Sequence, residues 1–299
     1  MNGPANLLVM LLLGIAVAPQ QAPQFEREIK TTRLADNLYL LEGAGGNVAA
    51  FTWNEGVLLV DDKIAPVSAE LRKAVAAISP GPIRFVVNSH WHPDHRGGNQ
   101  SLAGDGSVIV AHENVRRRMS VENFIEVFDR RLPPSPPEAL PVVTFTKDVR
   151  FHLGGEEISV VHVDPAHTDG DSFVRFRQAN VLHMGDCYLN GSYPVVDYST
   201  GGSFTGTIAA ADTALAMIDE ATRIIPGHGP VARSGDLRQW RDMLATILER
   251  VRNAVAAGRT LAEIKADRPS KEWDDRFPES FVTSDHVVEE AYRAATSRE

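Results

Sequence analysis

The 299-residue sequence predicts an α/β protein in which sheets pack between helix layers. Strand-like runs alternate with segments of helical period from about residue 25 onward, and these runs fall into two comparable halves. No short-period repeat breaks the pattern. With 43% hydrophobic residues the chain can bury the core such a fold needs, as one large domain or two modest ones. Glycine and proline are spread along the chain, which argues against global disorder.

The first apolar run, Leu7 to Ala18, is shorter than the ~20 residues of a membrane span. It closes on Ala16-Val17-Ala18 before the polar Pro19–Gln24, so residues 1–18 read as a secretory signal peptide, with a retained anchor as the alternative. The expectation is a periplasmic or secreted protein whose domain occupies residues 25–299. Leu38–Leu41, Asn47–Trp53 and Val57–Val60 read as strands, and Gly43–Gly46 between the first two as a flexible loop. Ser68–Ile78 places Leu71, Val75 and Ile78 at helical spacing, and Pro80-Gly81-Pro82 ends it. Two further strands, Ile83–Val87 and Val108–Ala111, precede a helix over His112–Met119. Its Arg116, Arg117 and Arg118 form a solvated basic face. The proline-rich Leu132–Pro141 reads as an irregular surface excursion, or as a flap over the site.

In the second half the strands are Val149–Leu153, Ile158–Val163, Ser172–Arg177, Asn180–Met184 and Arg223–Ile225. Helices are expected over Thr207–Asp219, Asp236–Ala257, Thr260–Ala266 and Ser284–Thr296. Leu237, Trp240, Leu244, Ile247 and Val251 make one apolar face that should pack on the protein's own sheet.

The net charge of −9 leaves no basic surplus to neutralise a phosphate backbone, which argues against nucleic acid; the expected partner is a small-molecule substrate. Oligomeric state is not legible. Cys187 is the only cysteine, so no intrachain disulfide forms and no cysteine cluster holds a metal. Any metal site must use histidine and aspartate. Three of the ten histidines, with one carboxylate, fall in His90-Trp91-His92-Pro93-Asp94-His95, directly after the Ile83–Val87 strand. Histidines at i and i+2 of extended backbone point the same way and can share one ion. Further candidates recur at strand ends: His167, Asp186 and His228. Imidazole and carboxylate donors suit zinc, with iron or manganese possible. Trp91 should point away into the core. His152, His162, His183 and His286 have no motif partners, and the aromatics Tyr188, Tyr193, Tyr198 and Phe204 either line the pocket or pack their loop down.

His90-x-His92-x-Asp94-His95 followed in order by His167, Asp186 and His228 resembles the metallo-β-lactamase superfamily of binuclear zinc hydrolases. The resemblance covers the chain from Phe25 onward and implies an αββα sandwich, two mixed sheets between helix layers. It implies two zinc ions: one held by His90, His92 and His167, the other by Asp94, His95 and His228, with Asp186 bridging. A zinc-bound hydroxide would attack the carbonyl of a small ester, lactone, thioester or β-lactam, and Asp94 would handle its proton. Asp61 resembles the carboxylate that supports the histidine loop. The secreted β-lactamases usually carry cysteine or serine where Asp186 stands, whereas an aspartate there resembles glyoxalase II-type thioesterases and lactonases. Two alternatives follow: a β-lactamase proper, or an iron-dependent oxygenase or sulfur enzyme of the same superfamily, which the intact His95 and His228 disfavour.

Overall fold

The computed structural model describes residues 27–277 and 282–297. The segment read as a signal peptide, residues 1–18, lies outside the described residues. The chain opens with β1 (Lys30–Ala35), β2 (Leu38–Glu42), β3 (Val48–Trp53) and β4 (Gly56–Val60), an antiparallel meander. Helix α1 (Ser68–Ile78) then crosses to β5 (Ile83–Val87), which pairs parallel to β4. Two short helices, α2 (Pro93–Arg96) and α3 (Asn99–Gly104), lead to β6 (Val108–His112), and α4 (Glu113–Met119) follows it. A small hairpin of β7 (Asn123–Ile125) and β8 (Arg130–Leu132) precedes β9 (Val143–Phe145), which completes a mixed seven-stranded sheet beside β6.

The second sheet has five strands: β10 (Asp148–Leu153), β11 (Glu156–His162), β12 (Ser172–Phe176), β13 (Val181–His183) and β14 (Arg223–Ile225). The first four pair antiparallel and the last joins β13 in parallel across α5 (Phe204–Met217). The chain ends in α6 (Ser234–Ala256), α7 (Leu261–Asp267), α8 (Lys271–Asp274) and α9 (Ser284–Thr296).

Side-chain alternation explains the layering. Leu38, Leu40, Ala49, Phe51, Leu58 and Val60 point to one face of the first sheet and meet Ile158, Val160, Val174 and Phe176 of the second. Their neighbours Leu41, Val48, Ala50, Val57 and Leu59 point to the other face and pack under Leu71 and Val75 of α1. Because both faces are covered, these strands read as nearly continuous apolar runs. The outer face of the second sheet, with Phe173, Leu182 and Ile224, is covered by α5, α6 and α9, and Leu237, Leu244, Ile247 and Val251 lie in that contact as expected. The fold is therefore the αββα sandwich with two mixed sheets.

Beyond the unanticipated β7, β8 and β9, three details differ from expectation. Strand β1, Lys-Thr-Thr-Arg-Leu-Ala, was not anticipated: it is a polar edge strand with little apolar pattern to reveal it. The Gly43–Gly46 tract is not a free loop, since the Gly46 amide donates to Asp94 O at 3.0 Å and that of Asn47 to Gly227 O at 2.7 Å. The proline-rich stretch is the expected surface excursion, with Pro133, Pro134, Pro136 and Pro137 exposed, but it is pinned down and is not a flap over the site. Leu132, Ala139 and Leu140 are buried against Trp91 and Met119, Ser135 donates its amide to Met119 O, and the Asn99 side chain donates to Ala139 O. The tip of the β7–β8 hairpin reaches the site instead.

Candidate metal centre

Strand β5 delivers its C-terminal residues into a loop locked from below. Asn88 and Asn99 exchange side-chain hydrogen bonds at 3.1 and 2.9 Å, and Asp62 accepts the Gly98 amide at 2.8 Å. His92 ends the extended segment, and Pro93, with φ preset for a first helical turn, starts α2. That turn brings Asp94 and His95 round to face His90 and His92. The other donors arrive from loops at the ends of β11, β13 and β14, so every one sits on the same edge of the sandwich.

All seven predicted residues come together. His90, His92, His167 and Asp186 form one group and Asp94, His95 and His228 a second, the donor atoms within each lying within 4.8 Å of one another. Asp186 touches both: one oxygen lies 3.7 Å from His167 Nε2 and 3.6 Å from His228 Nε2, and the other 3.1 Å from His95 Nε2.

The hydrogen bonds on the far side of each ring fix which nitrogen faces inward. His167 Nδ1 sits 2.7 Å from Val195 O, so it carries the proton and Nε2 presents a lone pair. His92 Nε2 donates to Asp197 at 3.0 Å, leaving Nδ1 bare. These two bare nitrogens face each other at 2.8 Å, an arrangement that a shared cation satisfies. His95 Nδ1 donates to Asp61 at 2.7 Å. Asp61 also accepts from the Ser89 amide and hydroxyl, both at 2.7 Å, and the hydroxyl lies 3.0 Å from His90 Nδ1. His90 Nε2 and Asp186 Oδ1 are buried without a hydrogen-bond partner among the described residues. Buried polar atoms in native proteins are normally paired, and here the missing partner has the character of a metal ion. The residues present therefore fit a divalent metal in each group.

Electrostatics agree. Burial pushes the His90 and His167 pKa down, keeping the rings neutral as ligation requires. Burial opposes charge on His95 too, yet the carboxylates of Asp186, Asp94 and Asp61 outweigh it and raise its pKa well above the usual value. Asp186 and Asp94 are held below the carboxylate range despite burial, chiefly by His95. A field that draws protons to His95 also draws a divalent cation.

Glycines permit the crowding at two points. A Cβ on Gly46 would lie 2.0 Å from the His95 ring, and one on Gly227 would lie 1.8 Å from Asp186 Oδ1. The centre opens to a cavity of about 380 Å³ lined by Phe128, Leu189, Gly191, Ser192 and Val195. Asp94 and His228 keep 34% and 42% of their side-chain surface accessible, which places them at the mouth.

The sequence reading missed Asp197. Its carboxylate sits two and three residues before Ser199 and Thr200, whose hydroxyls it accepts, a pattern that reads as a loop turn rather than a support for His92. Tyr188 and Tyr193 pack the loop down, against Trp240 and Phe277 respectively, and do not line the cavity. Trp91 points into the core and donates to Thr200 Oγ1. His112 caps α4, and His183 is spent on Asn47 O.

Residues 53–250 match the model of the metallo-beta-lactamase superfamily, and the chain belongs to that superfamily of metal-binding hydrolase enzymes. Among characterised relatives, the 2,4-dinitroanisole O-demethylase subunit alpha of Nocardioides sp. (strain JS1661) is 25% identical over 183 residues, covering 60% of this chain and 52% of that one. The chain spans about half the length of the curated relatives it matches first. A metallo-beta-lactamase from Pontibacter korlensis superposes with a TM-score of 0.61 at 18% identity, over 73% of this chain and 99% of that one. The stereoselective inverting sec-alkylsulfatase Pisa1 from Pseudomonas sp. gives 0.65 at 18% identity, over 91% of this chain and 51% of that one. At such identities the likeness is one of fold.

Proposed function

We propose that this protein is a zinc-dependent hydrolase of a small, uncharged ester, lactone or thioester. The observation that carries the reading is a pair of His/Asp donor clusters, joined by Asp186, at the floor of a cavity walled by Phe128, Leu189 and Val195. His90, His92 and His167 would hold one ion and Asp94, His95 and His228 the other. Divalent ions there supply Lewis acidity, acidifying water and polarising an acyl oxygen. Asp94, at the mouth and 3.1 Å from His228 Nε2, orients the attacking water and accepts its proton. The apolar walls hold the non-reacting part of the substrate and exclude bulk water.

The described lining residues include no lysine or arginine, so the carboxylate of a β-lactam antibiotic would find no side-chain cation. The relative named for 2,4-dinitroanisole, a neutral aromatic ether, supports an uncharged substrate. The run at 7–18 supports an exported protein acting outside the cytoplasm.

The test is metal analysis of the purified protein with a panel of neutral aryl esters, acyl-homoserine lactones, a thioester, nitrocefin and a carbapenem. Two equivalents of zinc with turnover of the neutral substrates is the expected result. One equivalent of iron, no zinc and no hydrolysis would move the protein to the iron-dependent branch. Efficient turnover of the carbapenem would restore the β-lactamase reading.

A further inference from the structure

Helix α9 lies beyond the residues matched to the superfamily, yet it grips the loop that orients two of the site's histidines. Glu290 is 4% exposed, and its Oε1 accepts the Val196 amide at 3.0 Å. Its backbone carbonyl accepts from the Tyr198 hydroxyl, also at 3.0 Å. Arg293, on the same helical face, sits 4.2 Å over the Tyr198 ring and pairs with Glu126 at the hairpin tip that carries Phe128.

The grip falls at a sensitive place. Val195 offers the carbonyl that takes the His167 Nδ1 proton, and Asp197 offers the carboxylate that takes the His92 Nε2 proton. The peptide between them is tied to Glu290. A rotation there moves both acceptors, and with them both rings. Removing the acceptor strands a buried amide, which drives the segment to repack.

We propose that Glu290 is a positioning residue for the first donor cluster: by accepting the Val196 amide it fixes the three-residue segment that aims His92 and His167. The proposal rests on reading that cluster as a metal centre. Burial pushes the Glu290 carboxyl above the usual carboxylate range, and glutamine keeps an acceptor oxygen in the same place. His286 Nε2 lies 3.2 Å from the same oxygen and Glu289 faces outward beside it, paired with Lys265.

The test is cobalt(II) binding to the full chain, read by chelator competition and by the visible absorption of the bound ion. Glu290→Met and Glu290→Ala lack the acceptor, Glu290→Gln keeps it, and Glu289→Ala controls for the helix surface. The non-accepting variants should weaken the histidine-rich cluster about tenfold and shift its absorption, while Glu290→Gln and Glu289→Ala stay within about twofold of the parent. Parent affinity and spectrum in Glu290→Met would overturn the proposal. So would a Glu290→Gln as damaged as Glu290→Met, or loss of the fold in both non-accepting variants, which assigns the residue to structure alone. If the parent itself takes up no cobalt, the metal-centre reading fails, and the proposal with it.

Discussion

Substituting Asp61 by asparagine should disable both donor clusters through proton placement alone. The Asp61 carboxylate is fully buried and accepts three hydrogen bonds: from the Ser89 amide, the Ser89 hydroxyl and His95 Nδ1, each at 2.7 Å. Asparagine keeps the shape and still accepts the Ser89 amide. It puts an NH2 where the second oxygen stood, and that group can only donate. His95 must then accept on Nδ1, so its proton moves to Nε2, aimed into the centre. The new NH2 also donates to the Ser89 hydroxyl, which turns its own hydrogen toward His90 Nδ1, 3.0 Å away. The His90 proton moves to Nε2 as well. One substitution therefore reverses one ring in each cluster.

Loss of a ligand's outer hydrogen-bond partner costs about 10–100-fold in metal affinity, or about 1.4–2.7 kcal/mol, and here the loss falls on both ions. Each forfeited bond to the charged carboxylate also removes about 1.5–3 kcal/mol of stability. The assay is zinc competition against a chromophoric chelator, with bound metal counted by native mass spectrometry. Ser89→Ala serves as comparison, because it breaks only the His90 branch and should weaken one ion. Two equivalents bound to Asp61→Asn at parent affinity would refute the tautomer argument.

Two further outcomes follow from the same neighbourhood. Gly46→Ala places a methyl 2.0 Å from the His95 ring, so it should cost about 1–3 kcal/mol of stability and reduce bound metal toward one equivalent; an unchanged count would show that the loop gives way freely. Lys63 is buried with its ammonium 2.8 Å from Gly46 O, and burial lowers its pKa to about 8. The unfolded chain holds that proton up to about pH 10.4, so stability should rise between pH 8 and 10.4, by about 3 kcal/mol. Chelator-treated Lys63→Met, measured by denaturant unfolding across that window, should lack the rise, and an identical slope in both proteins would exclude Lys63 as its source.

The sequence by itself determined the layered α/β class, because strands buried on both faces must be apolar throughout and those runs are visible without coordinates. It also singled out the seven candidate donors that the fold then brings together, since imidazoles and carboxylates recurring at successive strand ends stand out and their order resembles a known pattern. Tertiary structure alone decided how those donors are aimed. Ser89, Asp61, Val195 and Asp197 set the ring protons from loops as much as about 100 residues apart, through acceptors that carry no periodic or spacing signal. One of them is a backbone carbonyl, which every residue has. Gly46 looked like a free loop for the same reason: a missing side chain records a close approach only once the His95 ring that approaches it is placed. The β7–β8 hairpin, and not the proline-rich stretch, reaches the site because sequence shows where a chain turns, whereas the surface it turns onto, the candidate metal centre for the one and Trp91 for the other, exists only after the sheets have packed.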